Sequence, residues 1–432
     1  MRRIHTGVDT ATAFLTTLVA GLSLALPIDF RWTSESSPLQ LNLLAFSQPR
    51  AVAAGAVVAV VVATVLTAAE SELVSWCTTL GGIVTVAAVH QIGYTSGPTA
   101  PLTTLNFVDS VAGGILLGGI GAAVVGRRIP SAGWVLGMVA SISVAEALPS
   151  TQRSGGTRTD AWTATDSPPA WLVGAAVAMV IVSTYLNRRG DTAPRLSVEL
   201  PMAPIVAALV LIGTETATAE WLSRRGDSMV VVVAALAIAT LVFGVTALAL
   251  PGREGLFVLM AVSVTAAGNA MISATLPVWS LPWFIVLTGA GLAAGSRWPK
   301  PEAGFAATAA LALCATLLAY LHSRNDVVDN IGNFVIAFIA GYALGAALPQ
   351  RGSTRVIGLV MIVTPSAILV LRTRLSYGSC SESPSPGGGL VCEFNGRASV
   401  LPGWAALGII TGCMVFAGLL RGRRVDNTGD GA

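Results

Sequence analysis

The chain has little charge: of its 432 residues only 11% are Asp, Glu, Lys or Arg, against about one quarter in soluble domains. That deficit excludes an ordinary soluble fold, because 53% of the residues are hydrophobic and the mean hydropathy is +0.73. Lysine is nearly missing, and Lys300 is the only one. The arginines stand singly or in pairs between apolar runs; they form no basic stripe, which argues against nucleic acid as a partner. Histidine is scarce as well. The three present show neither His-x-x-x-His nor Glu-x-x-His spacing, so no metal site is expected and no cofactor is implied. Long polar segments are lacking too: the largest, 29–50, 150–168 and 374–399, fall short of the roughly 50 residues a soluble catalytic domain needs.

Apolar runs of bilayer length are abundant. A spanning helix needs roughly 20 apolar residues, and such runs fall at 10–28, 51–69, 73–93, 106–126, 131–149, 169–187, 201–222, 229–250, 255–275, 279–296, 303–321, 330–348, 355–373 and 400–420. They predict an all-α fold, a polytopic transmembrane helical bundle of fourteen helices, or twelve or thirteen if a short run such as 279–296 is re-entrant. The whole chain, 1–432, reads as one integral membrane domain whose partner is the lipid bilayer. The first run has a basic start like a secretory signal, but no small-x-small cleavage site follows, so it reads as the first span. With the amino terminus in the cytoplasm and an even helix count, fifteen of the 25 basic residues lie inside, mostly in tight turns. The polar tail 421–432 then returns to the cytoplasm, and the expected location is the inner (plasma) membrane.

Five cysteines are present. Cys77, Cys314 and Cys413 lie in apolar runs and read as packed small residues. Cys380 and Cys392 flank a Pro/Gly-rich external loop, where a disulfide suits the oxidising side of a membrane, with two unpaired thiols as the alternative. Six tryptophans near the run ends, Trp134, Trp171, Trp221, Trp279, Trp283 and Trp298, fit interfacial anchors.

The stretch Gly118 to Gly133, GGIGAAVVGRRIPSAG, is not a phosphate loop: Arg127 and Arg128 follow Gly126 where a Lys and a Ser or Thr would be needed. It reads as a glycine-rich helix end followed by a basic cytoplasmic turn. A similar stretch, GAGLAAGSRWPKPEAG, begins at Gly289, with Arg297 matching Arg127 at an offset of 170, and a looser copy, GYALGAALPQRGSTR, begins at Gly341. Small residues at one-turn spacing let helices approach closely. The alternative is chance recurrence in a glycine-rich composition.

If the first match is a true repeat, the fourth and fifth helices correspond to the tenth and eleventh. The chain then resembles the major facilitator superfamily, built from two parallel six-helix halves, here with two extra helices and possible halves at 73–222 and 255–420. Of that family's cytoplasmic signature only Gly126, Arg127 and Arg128 stand; its acidic residue is missing. The resemblance implies a transporter or exporter of a small or lipid-linked solute, working by alternating access, with protons as a further partner. Fourteen spans without soluble domains also resemble the lipid-linked oligosaccharide flippases of the multidrug and polysaccharide export superfamily. The Arg bias with abundant Ala, Val and Gly resembles high-GC actinobacterial proteins.

Ionisable groups inside apolar runs carry the site expectations, since each costs roughly 2.5 to 3.5 kcal/mol to insert. The seventh run contains Thr214, Glu215, Thr216, Thr218 and Glu220; Glu215 and Thr218 share one helical face. Either Glu215 binds a proton or a cationic substrate group, or it hydrogen-bonds a neighbouring helix while Glu220 sits at headgroup level beside Arg224. Asp109 opens the fourth run and Glu146 closes the fifth; with Glu215, Asn269 and Asp329 they would form an acidic external vestibule, and taken singly each is a helix-end residue. His90 ends the third run and His322 the eleventh. An enzyme is the lesser expectation: glycosyltransferases using polyprenyl-phosphate sugars place an acid in the first external loop, where Asp29 and Glu35 stand, but no paired acids occur there and no catalytic residue is assigned. A membrane scaffold without a substrate is the remaining class.

Overall fold

A computed structural model describes residues 2–30, 37–147, 167–188, 202–226, 228–251, 253–271, 278–321, 326–348, 352–376, 380–382, 390–392 and 399–429. In chain order the helices are α1 (Arg2–Ala25), α2 (Pro38–Ala68), α3 (Glu72–Ser96), α4 (Leu102–Val124), α5 (Arg128–Ala147), α6 (Ala170–Asn187), α7 (Met202–Arg225) and α8 (Met229–Ala249). They continue with α9 (Arg253–Met271), α10 (Leu281–Arg297), α11 (Pro301–Leu321), α12 (Asp326–Ala347), α13 (Gly352–Val363), α14 (Ala367–Ser376) and α15 (Leu401–Gly429). Between α14 and α15, strands β1 (Cys380–Glu382) and β2 (Leu390–Cys392) form a small antiparallel pair.

Twelve segments are long and apolar enough to cross a membrane, and the Ile331–Ala347 part of α12 is a shorter apolar helix. With α10, 17 residues long, they account for all fourteen expected runs, and the chain is a multi-pass membrane protein. One run is divided. Pro365, which has no N–H to donate, interrupts 355–373, and Ser366 restarts the helix as α14 by accepting the Leu369 N–H at 3.1 Å. The two pieces count as one span, Thr354–Arg372.

The packing repeats at a shift of eight spans. α2 lies along α4, α1 along α5, and α3 against α4 and α6; correspondingly α10 lies along α12, α9 along α13, and α11 against α12 and α15. Two six-span units result, α1–α6 and α9–α15, with α7 and α8 as the extra pair between them in sequence. α7 packs on α2, α13 and α14, while α8 packs on α9 and α15. The units meet where α2 touches α13 and where α5 touches α10.

Glycines set the closest pairs, because helices in lipid associate through backbone contact rather than apolar transfer. A side chain at Gly114 or Gly118 of α4 would run into the carbonyl oxygens of Gly55 or Ala59 of α2, and one at Gly341 or Gly345 of α12 into those of Thr288 or Leu292 of α10. The stretch at Gly341 is thus the counterpart of the one at Gly118, and the repeat at offset 170 is not the one the packing follows. Both helices of a close pair need glycine, so α10 and α4 share a composition while holding different places.

Two further expectations are corrected. Trp134 is not an interfacial anchor: it is fully buried against Gly121, whereas Trp171, Trp279, Trp283 and Trp298 are exposed. Cys413 is buried, but Cys77 and Cys314 lie exposed on the outer surface of their helices.

Candidate functional site

A cavity of about 1250 Å³ opens between the two six-span units at the face that carries the amino terminus. Thr10 of α1 with Ser131, Ala132 and Leu136 of α5 form one wall; Leu256 of α9, Leu292 and Ser296 of α10 and Ala346 of α12 form the other. Its mouth is basic. Arg128, Arg253, Lys300, Arg355 and Arg421 line it, with one carboxylate among the described lining residues, Glu302, which accepts a hydrogen bond from Arg421.

The turn between α4 and α5 sorts its two arginines. Gly126 takes the left-handed conformation, φ +87°, that an L side chain resists. Arg127, the next residue, turns inward: it donates to Asp9 of α1 at 2.5 Å and to Glu72 of α3, with Asn187 of α6 at 3.5 Å. Asp9 is 1% exposed. Arg127 thus finds its acids on two other helices, which no linear motif could disclose. Arg128 is exposed and lines the cavity. Arg297 lies outside it, with its guanidinium 6.0 Å from the Trp298 ring.

Near the opposite face lies a buried polar group that sequence reasoning did not connect. His90 Nε2 of α3 stands 3.6 Å from Asp109 Oδ1 of α4, with side-chain exposures of 4% and 2%. Phe30 meets the His90 ring edge-on at 5.7 Å, and Asn106 accepts the Ile28 N–H at 2.9 Å while donating to Gln48 at 2.7 Å. Asp109 does not open a helix: α4 starts at Leu102, so the carboxylate lies in the second turn and packs sideways onto α3. One signal was available. An acid and a histidine, each inside an apolar run, stood on consecutive spans, and intramembrane ionisable groups seek one another.

Glu215 is 6% exposed, its Oε2 has no hydrogen-bond partner among the described residues, and it lies near the Cys413 thiol of α15. It stands thirteen residues into α7, about 20 Å along the helix at 1.5 Å per residue. Thr218, also buried, returns its hydroxyl to the Thr214 carbonyl at 2.7 Å. Glu220 accepts from Arg224, as expected, and from Arg50 at 2.9 Å. Asn269 sits at the broken span, its Nδ2 donating to Ser366 Oγ at 2.7 Å. Asp109, Glu215 and Asn269 thus lie in three separate surroundings, beside His90, Cys413 and Ser366 respectively. The Glu146 and Asp329 side chains, Glu35 and His322 lie outside the described residues. Asp29 is 9% exposed and its backbone pairs with Ser167.

Cys380 and Cys392 face each other as backbone partners across β1 and β2. Their side chains lie outside the described residues. Among the described residues, no cluster of three His, Cys, Asp or Glu able to hold a metal occurs.

No family model and no curated protein sequence matches the chain. Among solved structures it is similar to that of the E. coli fucose:proton symporter FucP, with 14% identity over 96% of this chain and 98% of that one at a TM-score of 0.48. It is likewise similar to a structure of FucP, a major facilitator superfamily transporter, in the outward conformation, with 13% identity over 95% of this chain and 98% of that one at a TM-score of 0.47.

Proposed function

We propose that the chain is a membrane transporter that moves a solute by alternating access between two halves, α1–α6 and α9–α15, with α7 and α8 bracing one side of their interface. The observation that carries this reading is the solute-sized cavity whose walls come from both halves. A cavity within one half would suit a fixed binding pocket; one between two units that repeat the same packing can open to either side by rocking one against the other. The concentration of arginine in the turns of the amino-terminal face supports a cytoplasmic assignment of that face. Glu215 is the proposed proton carrier, being buried in lipid-spanning sequence with one oxygen unpartnered among the described residues.

The experiment is uptake and efflux in proteoliposomes, wild type beside Glu215→Gln, with and without an imposed proton gradient, across amphiphilic solutes and polyprenyl-linked sugars. Gradient-driven movement lost in the variant supports the proton-coupled carrier. Gradient-independent movement of a lipid-linked sugar that the substitution leaves unchanged favours the flippase and returns Glu215 to a structural role.

A further inference from the structure

We infer that the cavity between the halves selects organic anions: solutes with a carboxylate, sulfonate or phosphate head on an apolar body. The inference deepens the transporter reading and rests on it for what happens to the solute after binding.

Five cationic side chains from five separate parts of the chain line one cavity, where Glu302, the only carboxylate among the described lining residues, is already engaged by Arg421. A general excess of arginine on the cytoplasmic face does not explain this. Arg127 and Arg297 belong to the same face and stay out of the cavity, the first neutralised by Asp9 and Glu72, the second beside Trp298. Arg128, one residue from Arg127, is turned into the cavity instead. Glu254, the residue after Arg253, is buried and accepts a hydrogen bond from Thr354 at 2.9 Å.

In both halves a buried acid lies in the helix packing, Asp9 in one and Glu254 in the other, while Arg128, Arg253 and Lys300 line the cavity. Low-dielectric walls focus the field of such a ring into the space it encloses. Below the ring the lining becomes apolar, with Leu136, Leu256 and Leu292. Charge at the mouth and apolar surface beneath fit an amphiphilic anion, head toward the arginines and body between α5 and α10.

Ser296, exposed at the cavity wall, allows a direct test. In the full chain in nanodiscs, with Cys77, Cys314 and Cys413 replaced by alanine, Ser296→Cys is alkylated by anionic sulfonatoethyl or cationic trimethylammonioethyl methanethiosulfonate; the same chain with Ser296 intact is the blank. The expected result is an anionic-to-cationic rate ratio about tenfold above that of a free thiol, reduced when Arg253→Gln and Lys300→Gln are added. Carboxyfluorescein should slow alkylation, and rhodamine 123, with the same tricyclic body and a positive charge, should not. Alkylation by both reagents at the free-thiol ratio, or protection by rhodamine 123 instead, overturns anion selection and leaves an open cavity for the transporter. Alkylation by neither overturns both readings, because the cavity would then be closed to water.

Discussion

His90 and Asp109, on consecutive spans, stand 3.6 Å apart in a part of the bundle where neither side chain exposes more than 4% of its surface. Removing one member leaves the other buried without its polar neighbour, which costs about 1 to 3 kcal/mol for a buried polar group. Asp109→Leu and His90→Phe should each lower the thermal midpoint of the purified protein, and the double variant should be more stable than the sum of the single losses implies. A double-mutant cycle by thermal unfolding in detergent measures this; additive losses would mean that the two groups do not interact.

Arg127 and Arg128 should behave oppositely. Arg127→Leu removes the charge partner of Asp9, which is 1% exposed and keeps a hydrogen bond from Asn187 at 3.1 Å, and a loss of about 3 kcal/mol is expected. Arg128→Gln removes an exposed charge and should change stability by less than about 0.5 kcal/mol. Yield and thermal midpoint of the two variants, side by side, check the contrast.

Gly121→Leu should be severely destabilising. A Cβ there would lie 2.7 Å from Trp134 Cζ2 and 3.3 Å from Val356 Cγ2, so the new side chain has no room. Overpacking of this kind costs about 1 to 3 kcal/mol or more. Gly126→Ala meets no atom within 4 Å; its cost comes from the left-handed backbone alone and should be about 1 kcal/mol. Both appear in the same thermal measurement.

The opposed Cys380 and Cys392 backbones lead us to expect a disulfide in the native protein. Maleimide labelling of unfolded, unreduced chain should then modify the three cysteines Cys77, Cys314 and Cys413 and, after reduction, all five. Five labels without reductant would contradict the bridge.

The spans were legible because apolar length is read directly from sequence, and all fourteen runs became helical segments. The division of one of them was also written there, in Pro365. The order of the repeat was not. Glycine marks both members of a close helix pair, so matching glycine patterns joined α4 to α10, which are members of different pairs, when packing joins α4 to α12. The site was less legible still. Asp9, Glu72 and Arg127 lie on different elements far apart in the chain, as do the five cations of the cavity, and their meeting depends on how the helices cross. Glu215 was visible because an acid inside an apolar run needs no partner to be conspicuous.

The claim that the two halves rock about the cavity is tested most directly by distance. Spin labels at Ile129→Cys on α5 and Ser296→Cys on α10, with Cys77 and Cys314 replaced by serine, span the cavity between the halves. Pulsed electron–electron resonance in nanodiscs should give two distance populations whose balance shifts with pH and on adding a transported solute. A single distance that neither change moves would contradict alternating access.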